Sequence, residues 1–519
     1  MNTVRSKIES GERWWGGTSA IPANRQGYSE SSEVTLEVER LGGQSAPVFV
    51  SSKGRYIRAD RSLKVSFKGG EVIAEGEGVE IVRAGSCLRD GYLGVMRKHF
   101  PFEKKEIPDG FFKTAQYNTW MEYTYNPTEE GVLKYAHDIV DHGYTPGILI
   151  IDEGWHSHYG VWEFDFHKFP TPKRMIDELH SLGFTVMLWV VPYVTADGRE
   201  FLDHYARWAR ELKGEKFTPR LARQKNGEPA ILRWWNGFSA MLDMTNEADR
   251  EYLDSRLIHL IEDYGVDGFK FDGGNIASLS KDKWLTEPPV TTPEELNKAW
   301  NDFGTRYAYH EYKDTYDRGG RAVIQRIRDR YPTWDDNGLG TLIPIAIMQG
   351  LIGYPYICPD MIGGGEWQFT INKDFRMDEE LFVRMAECSA LFPMMQFSWA
   401  PWNNLSKEMC ELCLRAAKLH GAFGDRIVSL VSECMESGEP IIRSMEYAYP
   451  HSGYIDVYDQ FMLGEDILVC PVITKGAESR EVMLPPGEWR YCDGNVFNGG
   501  CVLRVSAPLG VLPYFEKIK

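Results

Sequence analysis

Nowhere in the 519 residues is there an uninterrupted apolar run long enough to span a bilayer, so no transmembrane helix and no membrane partner is expected. The 12 histidines form no HxH or HExxH pattern. Without histidine–carboxylate clusters, neither a catalytic metal nor another cofactor is expected. The nine cysteines are odd in number and scattered from Cys87 to Cys501, which reads as reduced thiols rather than a disulfide framework. A lone CxxC, Cys410 and Cys413 in SKEMCELCLRAAKLH, has no second pair nearby; a helix would set both nearly on one face, as core. Basic charge is short: 58 Lys and Arg face 75 Asp and Glu, a formal net charge of −17. That balance argues against a nucleic-acid or anionic-membrane partner, which needs a basic face. The opening MNTVRSKIESGERWWGG has no apolar core of signal-peptide length, and a cytoplasmic location is expected. No internal repeat or low-complexity linker is present.

A chain of 519 residues exceeds one ordinary core, and its character changes along its length. Residues 1–108 carry short alternating runs such as EVTLEVERL, APVFVSS and RSLKVSFKGGEVIAEG, punctuated by Gly, Ser and Asp. They predict an N-terminal antiparallel β domain, read as a sandwich. Over 109–432, strand-like runs alternate with helical ones: GILIID with PKRMIDELHSLG, then TVMLWVVPY with FLDHYARWARELKG, and further on YGVDGFKFDGG, AVIQRIRD and GYPYICPDM. Such alternation predicts an α/β fold, a (β/α)8 TIM barrel with insertions. Residues 433–519 return to β character in DILVCPVI, REVMLPPGEWRY and VLRVSAPLGVLPYF.

The stretch GVDGFKFDGGN, from Gly265 to Asn275, shows how a barrel strand could carry chemistry. Alternation sends Phe269 and Phe271 to one face, under the helices, and Lys270 and Asp272 to the other, toward the axis. The strand's C-terminal end is where active sites of this fold lie. Gly273 and Gly274 then let the chain turn. By spacing alone, a Lys–Asp pair that merely fills the barrel is an equal reading, although inward charge in a barrel mouth is costly unless used. Acids end other runs: Asp152, followed by Glu153, then Asp329 and Asp360. With Trp155, Trp189, Trp234, Trp235 and Trp334, they suit a sugar, whose hydroxyls take carboxylate partners and whose ring faces stack on indoles. Each tryptophan taken singly reads more readily as core. Two carboxylates flanking a glycosidic bond supply the usual hydrolytic chemistry.

Several longer blocks point the same way. FDFHKFPTPKRMIDELHSLGFTVMLWVVPYV, VDGFKFDGG, YPYICPDMIGGG and YDQFMLGEDILVCPVITKGAESREVMLPPGEWR together resemble glycoside hydrolase family 31. RWWNGFSAMLDMTN, LIPIAIMQGLIGYPYICPDMIGGG and ALFPMMQFSWAPW look most like an α-galactosidase-like branch of it. The resemblance implies a retaining mechanism with Asp272 as nucleophile and Lys270 beside it, keeping it ionised. It implies Asp329 as acid/base, since Trp334 follows at the family's spacing and a helix comes next. TWDDNG keeps Asp336, and its neighbour Asp335, as the alternative, for which a helix N-cap or first-turn role is the plainer reading. Of Arg326 and Arg328, one is expected to touch substrate. Asp152 matches an acid that holds distal sugar hydroxyls, Trp189 a pocket wall, Trp235 with Asn236 an aromatic loop near the sugar, and Asp360 the late aspartate.

Four positions depart from the family pattern. Glu153 stands where a second aspartate is usual, and Asn275 replaces an acid three residues after the nucleophile. MMQFS, Met394 to Ser398, stands where glucosidase members carry an arginine and a histidine. Lys313 lies where a substrate arginine is expected. The resulting expectation is an exo-acting α-glycosidase on an oligosaccharide or α-glycoside, α-galactoside favoured. An α-glucoside, an α-xyloside, an N-acetylated α-galactoside and transglycosylation stay open, because acceptor choice lives in loop shape. A catalytically silent sugar-binding protein is the reading of a different class; the presence of both carboxylates counts against it. The resemblance also allows a homo-oligomer.

Overall fold

In the computed structural model, residues 2–21, 25–202, 221–280 and 291–518 are described. The helical run expected at FLDHYARWARELKG falls mostly on residues 203–220, outside the described residues.

The barrel is built of short parallel strands. These are β1 (Gln116–Asn118), β2 (Ile148–Ile151), β3 (Thr185–Val190), β4 (Gly268–Phe271), β5 (Tyr309–Tyr312) and β6 (Gln325–Arg326). Each pairs in parallel with the next. The seventh strand, β7, is split into Ile357–Cys358 and Met361–Ile362. Its first half pairs with β6 and its second with β8 (Gln396–Phe397), which returns to β1. The two outer edges of the curled sheet are therefore one stretch of chain, and the expected eight-position ring closes. The split falls at Asp360, whose φ of +85° lies in the left-handed region that non-glycine residues rarely adopt.

On β4 the expected alternation is present. Phe269 stacks edge-on with Tyr307 at 5.0 Å, and Phe271 meets Trp300 at 5.2 Å and Tyr312 at 5.0 Å. All are buried in the main core. Gly273 and Gly274 have φ of +64° and +60°. A Cβ on Gly273 would come within 2.6 Å of the Tyr193 ring, and one on Gly274 within 2.8 Å of Trp300. The chain turns here because nothing larger fits.

The N-terminal region forms two antiparallel sheets, as expected, and carries one helix that the sequence reading did not mark. Leu88–His99 is a helix. Its glycines hid it from sequence reading, since Gly is a poor helix former. They serve close packing: a Cβ on Gly94 would lie 2.3 Å from the Ala84 Cβ, and one on Gly91 2.9 Å from the Arg55 carbonyl oxygen. The barrel and this region are interlocked. Thr315–Tyr316, just beyond β5, pairs in parallel with Gln44 and Ser45. Ile276 and Tyr316 sit in the N-terminal core beside Phe49 and Phe67.

A 31-residue helix, Lys407–Ser437, leads into the C-terminal sheet region. Cys413 is buried on that helix and Cys410 half-buried, and all nine cysteines are free thiols. Arg384, on the barrel helix Glu379–Ala390, bonds the carbonyls of Ala477 (2.8 Å) and Ala507 (2.9 Å), fastening the C-terminal region to the barrel. Among the described residues no helix is long and apolar enough to cross a membrane, and no group of three His, Cys, Asp or Glu could hold a metal ion.

Phe271→Ala empties the space between β4 and its helices. It is expected to destabilise the barrel by about 3–5 kcal/mol, read as a lower urea midpoint; a change under about 1 kcal/mol would contradict this packing.

Candidate active site

Lys270 and Asp272 both face the barrel axis, but they do not pair with each other. Two residues along a strand are offset by about 6–7 Å, and Lys270 reaches across to the end of β2 instead. Its Nζ donates to Asp152 Oδ2 at 2.6 Å. Asp152 also accepts from Asn118 Nδ2 at 2.7 Å and from the Glu153 N–H at 2.9 Å. Burial opposes ionisation of Asp152, yet the Lys270 ammonium, together with the Glu153 N–H and the Asn118 amide, outweighs it and holds the carboxyl below its ordinary range. Lys270 thus lines the same cavity as Asp272 but gives its hydrogen bond to Asp152. The cation nearest Asp272 is Lys313, 3.9 Å from Oδ2. Asp272 also accepts from Trp189 Nε1 at 3.1 Å and from the Gly273 N–H at 2.8 Å.

Lys313 is shared. Its Nζ donates to Asp329 Oδ2 at 2.5 Å. The separation of these Asp272 and Asp329 oxygens cannot exceed the sum of the two Lys313 distances, which admits the ~5–5.5 Å of retaining glycosidases. Asp329 does not end a strand, as its apolar run suggested; β6 stops at Arg326. The acid stands three residues further on, where Arg326 Nη1 reaches its Oδ1 at 3.2 Å. Burial pushes the Asp329 carboxyl up, but Lys313 and Arg326 together hold it well below the usual carboxylate range.

Arg326 is itself wholly buried. It joins three neighbouring strands through Glu311 on β5 at 3.3 Å, Asp329 beyond β6, and Asp360 within the split of β7. Asp360 also accepts from the Arg330 N–H at 2.7 Å. Both its oxygens are thus engaged, one by Arg326 and one by the Arg330 N–H, and it is not among the residues lining the central cavity, where it was expected to meet substrate. Asp336 is 49% exposed and paired with Arg25, away from the cavity. Asp335 bonds Thr333 Oγ1 at 2.7 Å and the Asn337 N–H at 2.9 Å, closing the turn ahead of the next helix.

Glu153 is the unusual acid. One of its oxygens accepts from both Tyr159 Oη and Asn236 Nδ2. Burial, with Asp152 and Asp272 nearby, pushes its carboxyl up to about 8. Asn236 continues the chain of bonds to Tyr159 Oη (2.8 Å) and Tyr125 Oη (3.0 Å). It therefore braces Glu153 and faces an adjoining hollow rather than the central one.

The central cavity holds about 330 Å³. Asp152, Glu153, Trp189, Trp235, Lys270, Asp272, Lys313, Arg326 and Asp329 all line it. Trp120, Arg328, Glu366 and Trp367 line it too, and sequence reading singled out only Arg328 among them. Glu366 and Trp367 directly follow the YPYICPDMIGGG block; the Trp120 indole, at the start of the short helix Trp120–Tyr123, donates to the Gly365 carbonyl at 3.1 Å, so the two segments meet. Trp155, Trp234 and Trp334 are not cavity residues. Their indoles bond the Trp189 carbonyl, Ser239 and Asp378. Met394 and Met395 are fully buried. Asn275 lines a neighbouring hollow, with Asp272, Lys313 and Asp329 on its shared wall.

A profile described as the glycosyl hydrolases family 31 TIM-barrel domain matches residues 113–412, and one for the family 31 C-terminal domain matches 438–518. The chain belongs to glycosyl hydrolase family 31. Within it, the "Myogenesis-regulating glycosidase" of Mus musculus is 31% identical over 435 residues, 82% of this chain and 59% of its own length. An "Alpha-glucosidase" of Saccharolobus solfataricus is 25% identical over 430 residues, 75% of this chain and 60% of its own. The chain thus spans about three-fifths of these relatives. In three dimensions it matches a cycloalternan-degrading enzyme from Trueperella pyogenes, solved in complex with a covalent intermediate, with a TM-score of 0.80. That match covers 100% of this chain and 77% of that one at 20% identity, a likeness of fold.

The raised Glu153 carboxyl has a consequence for stability. Its folded value of about 8 lies above the ordinary 4.5, so its contribution is complete below pH 4.5 and is lost as pH rises through 8. Glu153→Gln keeps an acceptor for Tyr159 and Asn236 without the charge. Urea midpoints from pH 5 to 8.5 are expected to favour the variant increasingly over the native chain; a constant difference would contradict the assignment.

Proposed function

We propose that the chain is a retaining, exo-acting α-glycoside hydrolase that removes a terminal α-linked sugar, with α-galactosides the favoured class. Asp272 is the nucleophile and Asp329 the acid/base. The observation that carries this reading is the pair of carboxylates on one ammonium across a single cavity, Asp272 at 3.9 Å and Asp329 at 2.5 Å from Lys313 Nζ. The cavity's roughly 330 Å³ is at the small end for ligand pockets, which suits one terminal sugar rather than a long chain. Family membership and the kinship with named glycosidases support the chemistry.

In this mechanism a carboxylate oxygen of Asp272 bonds to the anomeric carbon as the glycosidic C–O bond breaks. The leaving oxygen takes the proton of Asp329. Water then attacks the same carbon, gives its proton to Asp329, and releases the Asp272 carboxylate. The Trp189 indole and Gly273 N–H hold the nucleophile in one orientation. Asp152 and Glu153 face the distal hydroxyls. The α-galactoside preference rests on resemblance to that branch and on buried Met394 and Met395, where glucosidases carry polar sugar-holding residues. Nine free thiols fit the reducing cytoplasm.

The test is hydrolysis of p-nitrophenyl α-glycosides: galactoside, glucoside, xyloside and N-acetylgalactosaminide. A response to the galactoside is expected, and another sole responder would reassign the sugar. Asp272→Asn should fall below about one-thousandth of the native rate with an unchanged unfolding midpoint; retained turnover would remove Asp272 as nucleophile. For the second carboxylate, Asp329→Ala should regain activity with azide, and rescue seen only in Asp336→Ala would transfer the acid/base role. Silence on all four sugars with a folded protein would favour the sugar-binding reading.

A further inference from the structure

Gln44 belongs to the N-terminal β region, yet its side chain ends inside the barrel mouth. It is fully buried, on the strand Gln44–Ser51. Its amide Nε2 donates to two carbonyls, that of Lys313 at 3.0 Å and that of Arg326 at 2.9 Å. Its Oε1 accepts from Ser19 Oγ at 3.3 Å. Both donors and the acceptor of the amide are therefore used. The two residues it holds by their backbones are those whose side chains contact Asp329. Nearby contacts repeat this coupling. The Gln44 backbone pairs with Thr315, and Asp314 accepts from the Ile276 N–H at 3.3 Å and from Gly43.

We propose that Gln44 is a positioning residue of the active site, fixing the spacing between Lys313, Arg326 and the carboxylate of Asp329. The inference rests on the hydrolase reading above and extends it: the N-terminal β region becomes part of the proton-transfer apparatus rather than a brace. Loss of the amide leaves two buried carbonyls without a donor, and the backbones at 313 and 326 are free to part. The charged groups around Asp329 are Lys313 beyond β5, Arg326 on β6 and Arg328 just after it, Lys270 and Asp272 on and after β4, and Asp360 and Glu366 within and after β7. Only Lys313 and Arg326 are tied to Gln44.

Gln44→Met keeps the shape and removes both donors. Slackened cations let the Asp329 carboxyl rise, so the acid stays protonated to higher pH. The alkaline limb of the kcat/KM profile is expected to move up by about half a unit or more. A crystal structure of the variant is expected to show Lys313 Nζ beyond hydrogen-bond reach of Asp329. Ser19→Ala, which frees the Gln44 amide to turn, should shift the limb in the same direction if Gln44→Met does not fold. An unchanged profile together with an unchanged Lys313–Asp329 contact overturns the proposal. Native protein silent on every glycoside would sink the hydrolase reading instead, and the variant's Lys313–Asp329 contact would still decide this one.

Discussion

The barrel mouth depends on charge compensation. Lys270 and Arg326 are buried with Asp152, Asp272, Glu311 and Asp360, and Lys313 and Asp329 stand part-buried beside them at the cavity wall. An uncompensated charge there would cost several kcal/mol even after relaxation, so each pairing is also a constraint on where the strands can lie. Arg326 binds β5, the end of β6 and the middle of β7 to one another. Lys270 joins β4 to the end of β2 across the intervening β3. The short strands, two residues long at β6 and β8, supply few ladder bonds. The side chains within the ring make up part of what the ladders lack.

The same constraint explains the split of β7. A regular strand would carry Asp360 along the ladder. The left-handed turn at φ +85° instead brings its carboxylate onto Arg326 and the Arg330 N–H. Strain of this kind, of order 1–3 kcal/mol, is sustained by a charged hydrogen bond in a dry site, which is among the stronger interactions available to a protein.

Much of this was legible in sequence, for physical reasons that also mark where legibility stops. A strand's period of two placed Lys270 and Asp272 inward and the phenylalanines outward, because burial on two faces leaves that signature. The β–α alternation gave the barrel. The partner of Lys270 was not legible: alternation fixes the face a side chain points to, not which neighbour across the barrel it reaches. Asp329 read as a strand end because Ile324 and Ile327 are both buried, although only Gln325 and Arg326 make ladder pairs. Glu366 and Trp367 come from a loop and Trp120 opens a four-residue helix, Trp120–Tyr123, segments too short or irregular for periodicity to distinguish a cavity residue from a solvated one. The helix Leu88–His99 was hidden by glycines that its close contact with the neighbouring sheet requires.

The resting arrangement of Lys313 and Asp329 is not the reacting one. A general acid must carry a proton, and an ammonium at 2.5 Å keeps Asp329 charged. For the proposed chemistry, arrival of the sugar has to draw Lys313 away. A hydroxyl beside Asp272 offers the ammonium another acceptor, and separation then lets the Asp329 carboxyl rise toward the range where it can donate. A lysine suits that exchange better than the arginine expected at this position. The guanidinium fork would grip a carboxylate through two parallel bonds and resist release, whereas the ammonium is a point charge on a flexible stem. Substrate binding energy would then be spent on making the acid ready, so that a poorly fitting sugar would lose turnover as well as affinity. On this argument specificity and proton delivery are coupled through Lys313, whose backbone is held from outside the barrel while its ammonium is shared between Asp272 and Asp329.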